Sequence, residues 1–88
     1  MAERWLVANG KDNVGIALTA LAAGEAIGGI LLSAPIPAGH KFAIKAISAG
    51  EAVIKLGHAI GVASADILPG EHVHEHNLAF AGQADRGN

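Results

Sequence analysis

Short apolar runs alternate with glycine-centred turns along most of this chain. Two segments show the period-two alternation that is typical of strands with one buried face: Val14, Ile16 and Leu18 in the first, and Phe42, Ile44 and Ala46 in the second. Two further apolar stretches, 53–56 and 59–63, are separated by the turn candidate Gly57-His58. Because such strands are short and closely spaced, the pattern predicts a compact, twisted all-β domain.

A short phrase recurs along the sequence and marks the turns between these strands. It reads as an aliphatic residue, two small or turn-forming residues, Gly, a polar residue, any residue and an apolar one. The copies are 21–27, 47–53, 67–73 and, more loosely, 36–42. Glycine at the fourth place supplies a positive φ, and Pro37 and Pro69 fix φ just before it, so each copy predicts a turn that leads into a strand. The uneven spacing of the copies excludes a solenoid.

The domain organisation follows from these patterns. We predict an all-β single domain over residues 1–78, with short helical turns in the alanine-rich stretches 19–23 and 43–49 because alanine favours helix. Residues 79–88 lack periodicity and predict a flexible C-terminal tail. With 88 residues in total, the chain has room for one small core.

Composition and charge narrow the classes of protein. Apolar residues make up 51% of the chain and the mean hydropathy is +0.39, so we expect exposed apolar surface, as in a subunit or a homo-oligomer. Six Lys and Arg against eight Asp and Glu give a net charge of −2, which argues against nucleic acid as a partner. The absence of cysteine excludes disulfides and thiolate metal sites and fits a cytoplasmic protein. Residues 14–36 are apolar but contain Glu25 and four glycines, so we predict no membrane span.

Histidines are the first candidates for chemistry. Three of the five lie at 72, 74 and 76, and on a strand all three imidazoles would share one face. Neighbours on that face stand roughly 6.5–7 Å apart, so two can converge on one metal ion, whereas all three on a straight strand would span about 13 Å and need a bend. The alternative is that these histidines are solvated or hydrogen-bonded to nearby carboxylates.

The looser copy of the repeated phrase supplies further candidates. It carries Gly39-His40-Lys41 where the other three copies have Gly-Glu. Such a turn can present an imidazole as acid, base or ligand, and an ammonium group that neutralises a substrate carboxylate. An ordinary surface turn is the simpler alternative. Asp12 and Asn13 precede the first predicted strand, where such residues often cap a turn.

These motifs together resemble a known family. The segments are 12–18, 39–43, 53–57, 60–61 and 70–77, and in this order they are similar to the N-terminal domain of the altronate and galactarate dehydratases. The resemblance covers residues 5 to 78 and implies a SAF-like β-clip fold. In that family the domain is fused to a large catalytic domain or occurs as a free small subunit, as in (2R)-sulfolactate sulfo-lyase.

The resemblance also implies a reaction and a set of site residues. The reaction is elimination from a hydroxy acid, aided by a divalent metal, Fe²⁺ or Mn²⁺. Transferred to this sequence, the implied roles are catalytic for His40 and Lys41, metal-binding for His72, His74 and His76, and substrate-binding for Asp12, Asn13 and Asn77. The expected protein is a small subunit of an altronate-type sugar-acid hydro-lyase, inactive alone, whose partners are a large catalytic subunit and a small hydroxy-acid substrate. The alternatives are a sulfolactate sulfo-lyase small subunit and a non-catalytic module that binds metal or sugar acid.

Overall fold

The computed structural model describes residues 3–80, and this part of the chain is all β, as predicted. Its strands form antiparallel sheets. The strands are β1 (Trp5–Leu6), β2 (Val14–Ala17), β3 (Ala26–Ile27), β4 (Ile30–Leu31), β5 (Lys41–Ala43), β6 (Ala52–Lys55), β7 (His58–Ala63), β8 (His72–Val73) and β9 (Leu78–Phe80). The sheet orders are β1-β2-β5-β8, β3-β4 and β6-β7-β9.

The expected short helical turns do not occur within residues 3–80. In the first alanine-rich stretch, Leu21 forms a bridge with Ile36 instead. In the second, Ala43 ends strand β5 and Ile47 pairs with Ile67. These stretches are too short to nucleate an isolated helix, and partners across the fold satisfy their backbone groups, so tertiary pairing overrides the propensity of alanine.

The hairpin of β6 and β7 differs from the prediction by one residue. Its turn is Leu56-Gly57, not Gly57-His58, and both residues have positive φ, 52° and 82°. This is the two-residue turn whose twist suits antiparallel strands. The third strand of that sheet, β9, runs through Phe80 and pairs with β7, so residues 79 and 80 belong to the domain and not to the predicted tail. Residues 81–88 lie outside the described residues.

The first sheet is covered on both faces by separate apolar clusters. One cluster contains Val14, Ala43 and Val73 from β2, β5 and β8. The other contains Ala17 and Phe42 from the opposite faces of β2 and β5. Strand β5 is buried on both faces, through Phe42 on one side and Ala43 on the other, so its position is fixed, and its pairing with β8 places the residues at the ends of both strands.

The four copies of the repeated phrase fold as the same turn. In each copy the amide at the fifth position donates to the carbonyl at the second position; the donor and acceptor pairs are Glu25 and Ala22, His40 and Pro37, Glu51 and Ser48, and Glu71 and Leu68. In the three Gly-Glu copies the carboxylate also accepts the amide at the second position, at 2.7, 2.6 and 2.9 Å. The sequence repeat is therefore a repeated hydrogen-bonding unit.

Candidate metal centre

Strand register brings two distant parts of the chain into one site. In the pairing of β5 with β8, Lys41 lies opposite Val73 and Phe42 opposite His72. Extending this antiparallel register by one residue places His40 opposite His74, and residues two apart on a strand share a face. The two strands therefore present His40, His72 and His74 on the same side of the sheet edge.

The three imidazoles form a compact cluster, which we call the histidine trio: His40, His72 and His74. Each offers one ring nitrogen, and these nitrogens all lie within 4.8 Å of one another. The rings of His40 and His74 are stacked with centroids 4.5 Å apart, and His40 Nδ1 lies 2.8 Å from His72 Nε2 in a hydrogen bond. All three residues are partly buried.

The fit of this trio to a divalent cation can be judged from its nitrogen separations. Ligand nitrogens about 2.0–2.2 Å from a cation lie roughly 3–3.5 Å apart, so the separations in the trio need only small side-chain adjustments. Imidazole nitrogens bind iron and other first-row transition metals well, while Mn²⁺ prefers additional oxygen ligands. Three ligands on one side leave positions for a substrate and for ligands from elsewhere.

His76, the third member of the predicted metal triplet, lies beside the trio and not within it. Its ring is tilted by 40° against that of His72, with centroids 5.6 Å apart, and the residue is exposed. Strand β8 ends at Val73, and the chain then turns. This turn does not bring all three histidines onto one ion, because it leaves His76 apart from His72 and His74, and His40 from β5 joins the pair instead.

Asn77 shapes that turn with its side chain. Its Oδ1 accepts the amide of His74 at 2.9 Å, and its Nδ2 donates to the carbonyl of His72 at 2.9 Å. The residue is only 4% exposed. Because both ends of the amide are engaged with the backbone of two trio residues, Asn77 holds their spacing.

The surroundings of His72 favour the neutral form of its ring. Burial lowers the pKa of His72, and the nearby His40, His74, His76 and Lys41 lower it further. A neutral imidazole has a free lone pair for a metal. The contact of His74 Nε2 with Glu75 Oε2 is 3.8 Å, too long for a hydrogen bond. The hydrogen bond found for the trio thus joins two imidazoles and does not support the alternative of carboxylate-bound histidines.

Lys41 follows His40 directly but belongs to the other face of β5. It lies opposite Val73 and Ile16 in the register, and successive residues of a strand point to opposite faces. Burial lowers the pKa of Lys41, and the charge of Lys55 lowers it further. The predicted role of Lys41 toward a substrate carboxylate stays a prediction.

Asp12 and Asn13 make structural hydrogen bonds. The Asp12 carboxylate is 2% exposed and accepts amides of Ala8, Asn9 and Gly57. The Asn13 side chain donates to the carbonyl of Ala52 and accepts the amide of Ile54. These bonds tie the loop before β2 to the β6–β7 hairpin, and the predicted contact of both residues with substrate stays a prediction.

Sequence reasoning missed Pro37 as a contributor to the site. Residue 37 occupies the position whose amide, in the other copies of the turn, binds the Glu carboxylate. Proline has no amide hydrogen, so this turn has no donor for an acceptor side chain at position 40. The signal was present in the repeat, since the copy that lacks the Glu is also the copy with proline at its second position.

A small all-β domain with a histidine trio at a sheet edge is the class that this fold and site define. Residues 3–81 match the model of the altronate/galactarate dehydratase SAF domain. The chain belongs to that family. The resemblance inferred from the sequence motifs is thereby confirmed.

Individual relatives belong to two kinds of lyase. The chain is 41% identical over 78 residues to an altronate dehydratase of Escherichia coli (strain K12), an alignment covering 84% of this chain and 16% of the relative. It is 39% identical over 71 residues to the altronate dehydratase of Bacillus subtilis (strain 168), covering 76% and 14%. It is also 52% identical over 44 residues to (2R)-sulfolactate sulfo-lyase subunit alpha of Paracoccus pantotrophus, covering 50% and 66%.

These matches cover only a small part of the altronate dehydratases. The chain spans about one sixth of the length of the altronate dehydratases that it matches. The sulfo-lyase relative is named as one subunit and so belongs to an enzyme with several subunits. Within residues 3–80, no helix is long and apolar enough to cross a membrane.

Proposed function

We propose that this chain supplies one side of the active site of a sugar-acid hydro-lyase of the altronate dehydratase type, and that a large catalytic partner supplies the other side. The observation that carries the proposal is the convergence of His40, His72 and His74, whose ring nitrogens lie within 4.8 Å of one another. Kinship with altronate dehydratases supports the substrate class.

In this proposal the trio holds a divalent cation, Fe²⁺ or Mn²⁺. When bound, the cation would act as a Lewis acid on the carboxylate and hydroxyl oxygens of the substrate. Dehydration removes the hydrogen from C2 and the hydroxyl from C3 as water, and the resulting enol gains a proton at C3 and loses one from its C2 hydroxyl to become a 2-keto acid. His76 is exposed beside His72 and is available to carry a proton to or from these positions.

The neighbouring residues position this machinery. Asn77 holds the backbone of His72 and His74 through its amide. Pro37 leaves the side chain at position 40 free, so that His40 can contact His72 at 2.8 Å. A single domain with imidazoles on one open edge leaves the far side of a substrate uncovered, and the proposal therefore requires a partner polypeptide.

The experiment is purification of the tagged chain from its native source together with any large polypeptide that it retains. The complex and the chain alone are assayed with Mn²⁺ or Fe²⁺ and with altronate, galactarate and (2R)-sulfolactate. We expect keto-acid formation from a sugar acid by the complex and no turnover by the chain alone. Robust turnover by the isolated chain would refute the subunit proposal.

One alternative has its own support. The identity of 52% to a sulfo-lyase subunit, over 66% of that subunit, favours elimination of sulfite from sulfolactate as the second candidate. The same assay separates the two, because only the sulfo-lyase releases sulfite. Sulfite release without dehydration of either sugar acid would replace the hydro-lyase proposal.

A further inference from the structure

An open cleft adjoins the histidine trio through His72. Its volume is about 430 Å³, within the range of about 300–1,000 Å³ that small-molecule sites occupy. Ala34, Leu68 and Pro69 provide apolar lining. His72 belongs both to this cleft and to the trio, so a ligand held at the trio can extend into the cleft.

The polar groups of the cleft suit a chain of hydroxyl groups. Ser33, Glu71 and His76 line it together with His72. The Ser33 hydroxyl donates to the carbonyl of Gly70 at 3.3 Å and keeps acceptor lone pairs. Glu71 Oε2 accepts the amide of Leu68 at 2.9 Å, and a carboxylate has further acceptor positions. Hydroxyl groups can donate to all of these acceptors.

The charge of the cleft discriminates among acids. Glu71 is the acidic side chain of the cleft, and among the described residues that line the cleft there is no Lys or Arg beside it. A second anionic group on a substrate would approach Glu71 in a space partly shielded from water, where like charges repel more strongly than in solution. A neutral polyol meets no such repulsion.

We infer that this cleft receives the end of the sugar acid that is remote from the metal-bound carboxylate, and that Glu71 selects substrates whose remote end is uncharged. The inference rests on the proposed function and deepens it. It favours an aldonic acid such as altronate, which ends in a primary alcohol. It disfavours aldaric acids such as galactarate, which end in a second carboxylate, and it disfavours sulfolactate, which carries a sulfonate.

The test replaces Glu71 by glutamine. E71Q keeps an oxygen that can accept the Leu68 amide, so the turn is preserved while the charge is removed. The matched control is E51Q, because Glu51 accepts the amide of Ser48 in the same kind of turn outside the cleft. In the assembled enzyme, the ratio of kcat/KM for galactarate to that for altronate should rise roughly tenfold in E71Q and stay unchanged in E51Q.

A second measurement does not depend on turnover. Backbone amide shifts of the ¹⁵N-labelled chain, with Zn²⁺ as a diamagnetic ion that imidazoles bind well, are followed during titration with altronate or galactarate. Altronate should shift the amides of Ser33, Leu68 and Glu71 at lower concentration than galactarate does. The difference between the two acids should narrow in E71Q and persist in E51Q.

The outcomes separate this inference from the function on which it rests. If the complex dehydrates neither acid, the hydro-lyase proposal fails. If it dehydrates at least one acid but E71Q leaves the preference unchanged, the role of Glu71 is refuted. If altronate perturbs amides around the trio while the cleft amides remain still, the cleft is not the site of the remote end.

Discussion

Pro37 and His40 occupy the second and fifth positions of a turn that elsewhere in the chain ends in glutamate. The backbone bond from the His40 amide to the Pro37 carbonyl, 3.0 Å long, matches those of the other three turns. The side-chain bond cannot form, because proline offers no amide hydrogen. Proline at position 37 therefore leaves position 40, which is a structural glutamate in the other three copies, available for chemistry.

This relationship predicts an energetic coupling between residues 37 and 40. In H40E the new carboxylate has no amide to accept, whereas in the double variant P37A/H40E it regains the bond seen in the Gly-Glu turns. We expect the double variant to exceed the sum of the single effects by about 1 kcal/mol in free energy of unfolding, measured by urea denaturation. P69A/H40E is the control, since Pro69 lies in a different turn. Additive effects in P37A/H40E would contradict the account.

The affinity for a metal ion should depend on the three histidines of the trio and not on how many histidines the chain contains. H40A, H72A and H74A should each weaken Mn²⁺ binding roughly a hundredfold or more, because each removes a ligand and not merely an outer hydrogen bond. H76A should weaken it less. H58A is the control, because His58 is exposed on β7. Titration calorimetry on the folded chain measures the Mn²⁺ affinity of each variant. An equal loss of affinity in H58A and H72A would rule out the trio as the site.

Asn77 should affect the site through geometry. N77A removes the bonds to the amide of His74 and the carbonyl of His72, so Mn²⁺ affinity should fall roughly ten- to a hundredfold although no ligand is lost. N77D keeps an oxygen that can accept the His74 amide, so its Mn²⁺ affinity should fall less. Nuclear magnetic resonance spectra of the imidazoles should show the His72 and His74 rings displaced in N77A. Unchanged ring signals with weakened binding would point instead to direct contact of Asn77 with the ion.

Gly70 should be the least replaceable of the turn glycines. Its φ is +92°, and an added Cβ would lie 2.1 Å from the carbonyl oxygen of Leu31. G70A should lower the free energy of unfolding by roughly 3 kcal/mol or more. Gly50 has a φ of +89°, and a Cβ added there would have nothing within 4 Å, so G50A should cost only about 1–2 kcal/mol. The urea midpoints of G70A and G50A compare their stabilities. Equal losses of stability in the two variants would show that the contact with Leu31 is unimportant.

Asp12 should make the fold sensitive to acid. Burial acts to raise the pKa of Asp12, but amide hydrogen bonds from Gly57, Asn9 and Ala8 outweigh it and lower the pKa below 3.8. A carboxyl group with a lowered folded pKa contributes stability that is complete above its unfolded value and is lost as the pH falls through the folded value.

The wild-type free energy of unfolding should therefore drop as the pH falls below about 3.8. D12N should be less stable at pH 7, and its stability should change less over the acid range. D66N is the control, because Asp66 is an exposed carboxylate that accepts the amide of Ala49. Parallel pH profiles for wild type and D12N, measured by thermal unfolding, would contradict this role.

Local sequence patterns determined the all-β class and the position of the four repeated turns. Glycine with positive φ at the fourth place of each phrase, at 24, 39, 50 and 70, is a property of a few adjacent residues, and so is alternation along a strand. The predicted helical turns were wrong because the alanine-rich stretches obtain their backbone partners from segments that are remote in sequence. Local propensity contains no information about those partners.

Only the tertiary structure decided which histidines form the cluster. The spacing at 72, 74 and 76 indicated that imidazoles gather near the last strands, but the trio takes His40 from the start of β5 and leaves His76 outside. That choice depends on the register of β5 against β8 and on the turn held by Asn77. Register follows from burying both faces of the first sheet at once, which is a property of the packed chain and not of any single segment.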